Sequence, residues 1–216
     1  MDIQKHTYFE TPIYRIRKPE WVKKYNSLSN KYIKEAIKLN KERVLRNKKL
    51  NKSLTDEGLV HHSTSLINDN TFSELKDFIG YASVQILEDQ GYNLQDHTLF
   101  FHEMWVQEFA KKGYGNHSAH EHPNTHVSGF YFLKCSEKTS KPIFYDPRYG
   151  HKMLKLPLIN DVDVFSGVEK LAYNIKPGDL FLFPSYLSHE FSLDYGIDPF
   201  RFIHFTLQAI RNDIKV

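Results

Sequence analysis

The chain is expected to fold as a mainly β, α+β protein. The architecture predicted is an antiparallel sandwich or barrel of jelly-roll type, with N-terminal helices packed on one outer face. Three observations predict it. Residues 1–95 hold two stretches of helical periodicity, whereas from Asp96 onward nearly every segment reads as strand or turn. The chain is rich in aromatic residues, with 16 Phe and 13 Tyr, types that favour strands. Helices first and strands afterwards is the pattern of segregated layers, not of alternating βαβ units. One domain is expected over 1–216, with 1–95 supplying a first strand and supporting helices and 96–216 the jelly-roll core.

Each element follows in order. Tyr8 to Ile16 reads as an early strand, and Pro12 places it at a sheet edge because proline cannot donate to a ladder. From Pro19 to about Leu50 the spacing of Trp21, Tyr25, Leu28, Tyr32, Ala36 and Leu39 predicts a helix, with Pro19 in its first turn. Asn51 to Gly58 breaks that pattern. Asp69 to Gln90 is a second helix, capped by Asn70 or Thr71 and stopped by Gly91, with Phe72, Leu75, Phe78, Ile79, Ala82 and Ile86 on its apolar face. Strands are predicted at 98–109, 127–135, 142–145, 171–175, 179–183 and 200–209. Pro177 and Gly178 fit the two central positions of a type II turn. Asp146-Pro147-Arg148 marks a loop, and the stretch 146–170 is either a lid or a surface excursion.

Composition narrows the class further. A single cysteine, Cys135, excludes an internal disulfide and suits a reducing compartment. It reads as a small buried strand residue and not as a nucleophile. No apolar run approaches the roughly 18 residues of a membrane span, so a cytoplasmic protein with no membrane partner is expected. The net charge of +3 hides an asymmetry: residues 1–52 hold 15 Lys/Arg against 5 Asp/Glu, and the remainder 14 against 21. The basic residues are spread around the predicted helix without a reading motif, which argues for a solvated face and against nucleic acid.

The chemistry concentrates around His120-Glu121-His122-Pro123. In an extended strand side chains alternate, so His120 and His122 share one face about 6.6 Å apart along the backbone. Two imidazoles so placed can share a metal ion. His189, at the end of the turn-strand-turn unit that starts at Lys176, is the best third ligand. Glu121 points to the opposite strand face, and His117 and His126 read as neighbours of the site. Arg201 lies on the strand 200–209 and shares a face with Ile203, Phe205 and Leu207. A guanidinium on so apolar a face requires an anion. That anion is either a protein Asp or Glu, or a small dicarboxylate held by the metal at its other end.

These motifs, taken together and in order, resemble a group of 2-oxoglutarate/Fe(II) oxygenases common in marine bacteria and their phages. The pieces are His120-x-His122-Pro123, Ser128-Gly129-Phe130-Tyr131, Asp146-Pro147-Arg148, Pro177-Gly178-Asp179, Phe183-Pro184-Ser185-Tyr186-Leu187-Ser188-His189 and Arg201, with Phe9-x-Thr11-Pro12-Ile13-Tyr14 before them. The resemblance implies a double-stranded β-helix (jelly-roll) fold and hydroxylation of a second substrate coupled to decarboxylation of 2-oxoglutarate to succinate. It further implies O2 as co-substrate, Fe(II) on His120, His122 and His189, the C5 carboxylate of 2-oxoglutarate on Arg201, and Tyr131 as a donor to 2-oxoglutarate or a packed aromatic.

Two positions depart from the superfamily pattern. His122 stands where a carboxylate is usual, and Ile203 where a serine often follows the arginine. Two other readings therefore stand beside the first. One is a cupin-like three-histidine metalloenzyme that does not use 2-oxoglutarate. The other is a non-catalytic jelly-roll interaction module. Trp105, Gln107, Tyr114, Arg148 and Tyr186 are candidates to line the pocket of a primary substrate that the sequence does not identify.

Overall fold

Two antiparallel sheets enclose a phenylalanine-rich interior, and two helices cover the outside of the larger sheet. The computed structural model describes residues 3–49, 60–109, 114–148, 156–160 and 163–214. In chain order the strands are β1 (Tyr14–Arg17), β2 (Val60–His62), β3 (His97–Phe109), β4 (His117–His120), β5 (Val127–Lys134), β6 (Pro142–Tyr145), β7 (Lys170–Ala172), β8 (Asp179–Pro184), β9 (His189–Phe191) and β10 (Phe200–Arg211). The helices are α1 (Val22–Lys49) and α2 (Ser73–Asp89), each entered through a 3-10 turn. The larger sheet runs β1-β8-β5-β10-β3-β2 and the smaller β4-β9-β6-β7. This is the expected jelly roll with helices on one outer face.

The alternation of side chains across the larger sheet divides the core in two. Met104, Val106, Val127, Tyr131, Leu133, Leu180, Leu182, Ile203, Phe205 and Leu207 point outward and pack under the helices. Phe130, Phe132, Phe181, Phe183, Phe200 and Phe202 point inward, where they meet Phe144 and Phe191 of the smaller sheet. Every strand of the larger sheet except β2 at one edge and β1 at the other has neighbours on both sides; β1 is the expected edge strand but begins only at Tyr14, so Pro12 lies before it.

Helix α1 buries Tyr25, Ser29, Ile33, Ala36 and Asn40, a stripe at three- and four-residue steps. Leu39, expected on that face, is instead 47% exposed, because the stripe runs one residue out of phase with it. The entry to α2 is capped by Asp69, not by Asn70 or Thr71: its carboxylate accepts from the Thr71 backbone N–H at 2.9 Å. The sequence break at 51–58 lies outside the described residues. The turn at Lys176–Asp179 is type II as predicted, with Gly178 at φ +90° and the Asp179 N–H donating to the Lys176 carbonyl at 3.0 Å. Asp179 is fully buried and receives Arg15 at 2.5 Å and Arg17, so this turn anchors β1 to β8.

Strands β2 and β9 escaped the sequence reading, having three residues each and no apolar run. Strand β4 ends at His120, so His122, read as sharing its strand, lies beyond it. Gly129 in β5 is required by close approach: a Cβ there would lie 2.3 Å from the Phe181 carbonyl oxygen and 2.3 Å from the Phe205 ring. Gly129→Ala is therefore expected to destabilise the fold by about 2 kcal/mol or more, read as a lowered urea midpoint. Gly80→Ala, on helix α2 with nothing within 4 Å of the added methyl, is expected to stabilise the fold by about 0.5–1 kcal/mol, read as a raised midpoint.

Candidate metal centre

The register of β4 against β9 places His120 directly opposite His189. Such antiparallel partners have side chains on the same face with Cβ atoms about 5 Å apart. His122 joins them from the segment after β4. That segment is clamped to the end of β8 by two backbone bonds, His122 N–H to the Ser185 carbonyl at 3.0 Å and Ser185 N–H to the His126 carbonyl at 3.1 Å. One ring nitrogen from each of His120, His122 and His189 lies within 4.8 Å of the others. The expected convergence of the three is observed.

Hydrogen bonds behind the rings decide which nitrogens are free. His189 Nδ1 lies 2.9 Å from the Leu187 carbonyl and His120 Nδ1 lies 2.8 Å from the Ser118 carbonyl. A carbonyl only accepts, so both Nδ1 atoms carry the proton and both Nε2 atoms keep a lone pair. His189 is fully buried, and its Nε2 has no hydrogen-bond partner among the described residues; the same holds for His122 Nε2. Buried, unpaired lone pairs on converging imidazoles are what a metal ion would satisfy, and backbone acceptors behind the rings are the usual support of such ligands. The donor set therefore fits a divalent transition metal.

Burial also favours the neutral, metal-binding form of the His189, His122 and His117 rings. It pushes His189 down to about 3, with the Leu187 hydrogen bond opposing it and neighbouring histidines adding to it. Burial brings His122 to about 4, helped by His120, and His117 to about 4. The medium is aromatic: the rings of Phe183, Phe130 and Phe144 lie 4.9, 5.5 and 6.1 Å from His189.

Arg201 and Tyr131 are not part of this site. Arg201 is buried, but on the outer face of β10. There its Nε donates to Glu108 at 2.6 Å, and its Nη1 donates to Asn26 and Asn30 of helix α1 at 3.0 and 2.8 Å. The anion that the guanidinium requires is thus a protein carboxylate. Tyr131 likewise faces the helices, donating to the Lys18 carbonyl at 2.7 Å and packing edge-on against Tyr25. Both assignments to 2-oxoglutarate are corrected by side-chain parity: both faces of β5 and β10 are apolar, and the face bearing Arg201 and Tyr131 is the outer one.

The remaining candidates divide. His126 is structural, its Nδ1 accepting from the Ala209 N–H at 3.0 Å. His117 meets His120 edge-on, with ring centres 4.3 Å apart at 80°. Trp105 and Gln107 do face the interior, and Tyr186 shares a surface pocket of about 410 Å³ with Glu121 and His122. Arg148 instead bonds Asp146 and the Ser166 carbonyl, in a separate cleft beside residues 5–11. Tyr114 is largely exposed. Cys135 keeps its proton, since burial pushes its thiol up to about 12.

Two residues of the cluster were missed, His204 and Glu103. His204 lies on the inner face of β10 with its ring 4.7 Å from that of His122 and 4.4 Å from that of Trp105. Its Nε2 is buried without a partner among the described residues, as are Trp105 Nε1, Gln107 Nε2 and Thr206 Oγ1. Correct parity for β10 was the one signal that could have found it.

Comparison with known proteins gives a match over part of the chain. Residues 103–196 match the family described as "Putative 2OG-Fe(II) oxygenase". No curated protein matches the sequence. Among solved structures the chain is similar to SnoK, a non-heme alpha ketoglutarate dependent carbocyclase from nogalamycin biosynthesis, with a TM-score of 0.59 at 10% identity over 95% of this chain and 84% of that one. The epimerase SnoN from the same pathway gives 0.57 at 10% identity over 94% and 80%. A Pseudomonas putida prolyl-4-hydroxylase gives 0.51 at 8% identity over 92% and 93%. At these identities the likeness is one of fold.

Two outcomes are expected. Arg201→Ala leaves Glu108 buried without its main partner and is expected to cost about 3 kcal/mol, whereas Arg201→Met with Glu108→Leu recovers most of it; urea denaturation of the three proteins measures this. The second concerns pH. On unfolding, the buried histidines return to the ordinary value of 6.5, so below it the unfolded chain binds more protons than the folded one. The metal-free protein should hold its stability above pH 6.5 and lose it progressively as pH falls from about 6.5 toward 4, seen as urea midpoints that drop between pH 7.5 and 5.

Proposed function

We propose, from the match of residues 103–196 to the family described as "Putative 2OG-Fe(II) oxygenase", that this chain is an Fe(II)- and 2-oxoglutarate-dependent dioxygenase that hydroxylates a second substrate. His120, His122 and His189 would hold the iron. The observation that carries this reading is the convergence of their ring nitrogens within 4.8 Å, with the buried lone pair of His189 Nε2 left unpaired. Iron and 2-oxoglutarate, when bound, would activate O2, the oxidant, one oxygen atom going to succinate as 2-oxoglutarate is decarboxylated and the other to the second substrate, chemistry that no side chain of the protein can perform.

The chain's own residues bind, orient and exclude water. The Leu187 and Ser118 carbonyls fix the His189 and His120 rings. Phe130, Phe144 and Phe183 close the space behind His189 to water. Trp105, Gln107 and Thr206 present neutral hydrogen-bond donors toward the interior. The pocket beside Glu121, His122 and Tyr186 is the opening through which a substrate would approach. Among the described residues no helix is long and apolar enough to cross a membrane.

The orientation of Arg201 and Tyr131 favours one second reading, the three-histidine metalloenzyme that does not use 2-oxoglutarate, since the two residues expected to receive that molecule face the helices. Anaerobic titration of the Fe(II)-loaded protein with 2-oxoglutarate separates the two. A visible metal-to-ligand charge-transfer band is expected in the wild type. It should persist in the Arg201→Met/Glu108→Leu protein, because that pair lies on the outer face. It should be lost or moved in wavelength in His120→Ala/His189→Ala, where the three-histidine set is dismantled. Bound iron with no band in the wild type would transfer the assignment to the second reading.

A further inference from the structure

We infer that the histidine cluster contains a second position for a divalent cation, formed by Glu103, His122 and His204 and alternative to the one on His120, His122 and His189. It rests on the reading of this cluster as a metal centre. One carboxylate oxygen of Glu103 and one ring nitrogen from each histidine lie within 4.8 Å of one another. Glu103 Oε2 is 3.9 Å from His122 Nδ1, too far for a hydrogen bond. The His122 and His204 rings are 4.7 Å apart at 31°.

The independent sign of a ligand is His204. Its side chain is 3% exposed, and its Nε2 has no partner among the described residues. Burying an imidazole with an unmet nitrogen is unfavourable, which an internal hydrogen-bond network between Glu103, His122 and His204 would have avoided. A cation between the three would satisfy His204 and draw the carboxylate in. Two imidazoles and one carboxylate also form the donor set that non-heme Fe(II) favours, with positions left open for other ligands. The three-histidine position lacks the carboxylate and leaves the ion's charge uncompensated.

The two positions share His122, which reaches both because it lies after the end of β4, in the segment that follows the strand. A single cation therefore occupies one position at a time. Dismantling the three-histidine position should move the cation and not abolish binding.

Anaerobic Co(II) titration of the folded, metal-free protein tests this, following the visible d–d bands and the metal retained per chain after gel filtration. Wild type should retain one Co(II). His120→Ala, a half-exposed position that leaves the core intact, should still retain one, with affinity lowered about 10- to 100-fold and with bands altered by the carboxylate. Adding Glu103→Gln or His204→Ala to His120→Ala should remove binding. His189→Ala and His189→Ala/Glu103→Gln repeat the comparison from the other side, with circular dichroism confirming that each variant is folded. If His120→Ala and His189→Ala both fold but bind no cation, the second position does not exist and the three-histidine reading stands. Equal binding by His120→Ala and His120→Ala/Glu103→Gln overturns the inference as well. No binding even by the wild type overturns both readings.

Discussion

One backbone register holds the centre together: His120 across from His189 in the β4–β9 pair. Everything else at the site is built on it. The pairing puts two rings on the same inner face, and the Ser118 and Leu187 carbonyls then take the Nδ1 protons and leave Nε2 lone pairs inward. A shift of β9 by one residue would turn His189 away from the interior, since the side-chain period of a strand is two. The register is secured on the far side of β9 by β6, where His189 pairs with Phe144. The same Phe144 ring supplies part of the apolar wall that keeps the imidazoles neutral.

The larger sheet performs a different task on each face. Its inner face is almost wholly phenylalanine until it reaches His204 and Thr206, so the polar groups of the chamber concentrate at one end. Its outer face is aliphatic and seats the helices, except where Arg201 and Glu108 meet under α1. That buried pair is directly opposed across β10 and β3 and sits beside a register shift between Arg201 and Phe202 in the pairing with β5. It ties α1 through Asn26 and Asn30 to the strand whose inner face carries His204. Arg201 thus supports the site from behind, as packing and not as an anion receptor.

The segment from His122 to His126 is the adaptable part. It turns through Asn124 at φ +63° and is stitched at both ends, by His122 to Ser185 and by His126 to both Leu207 and Ala209. Between these stitches His122 is free of the strand ladder. It is therefore the one ligand candidate within reach of two donor sets, and the carboxylate that the three-histidine set lacks stands beside it as Glu103.

Sequence alone determined the layer plan, the type II turn at Pro177-Gly178, five of the ten strands to within a residue or two (β3, β5, β6, β8 and β10), and the grouping of the three histidines. These are local signals: period-two and period-3.6 patterning, turn chemistry and the spacing of imidazoles. The three-residue strands β2 and β9 were invisible because they carry neither an apolar run nor a period. Only the tertiary structure decided which apolar face of β5 and β10 is the interior, because Phe202 and Phe205 are equally hydrophobic and alternation cannot tell an inner face from one that lies under a helix. That single binary choice turned Arg201 and Tyr131 away from the site and His204 into it. It also brought Glu103, nineteen residues before His122, within reach of the same ring. Convergence of this kind depends on how strands pair across the sheet, which no local pattern encodes.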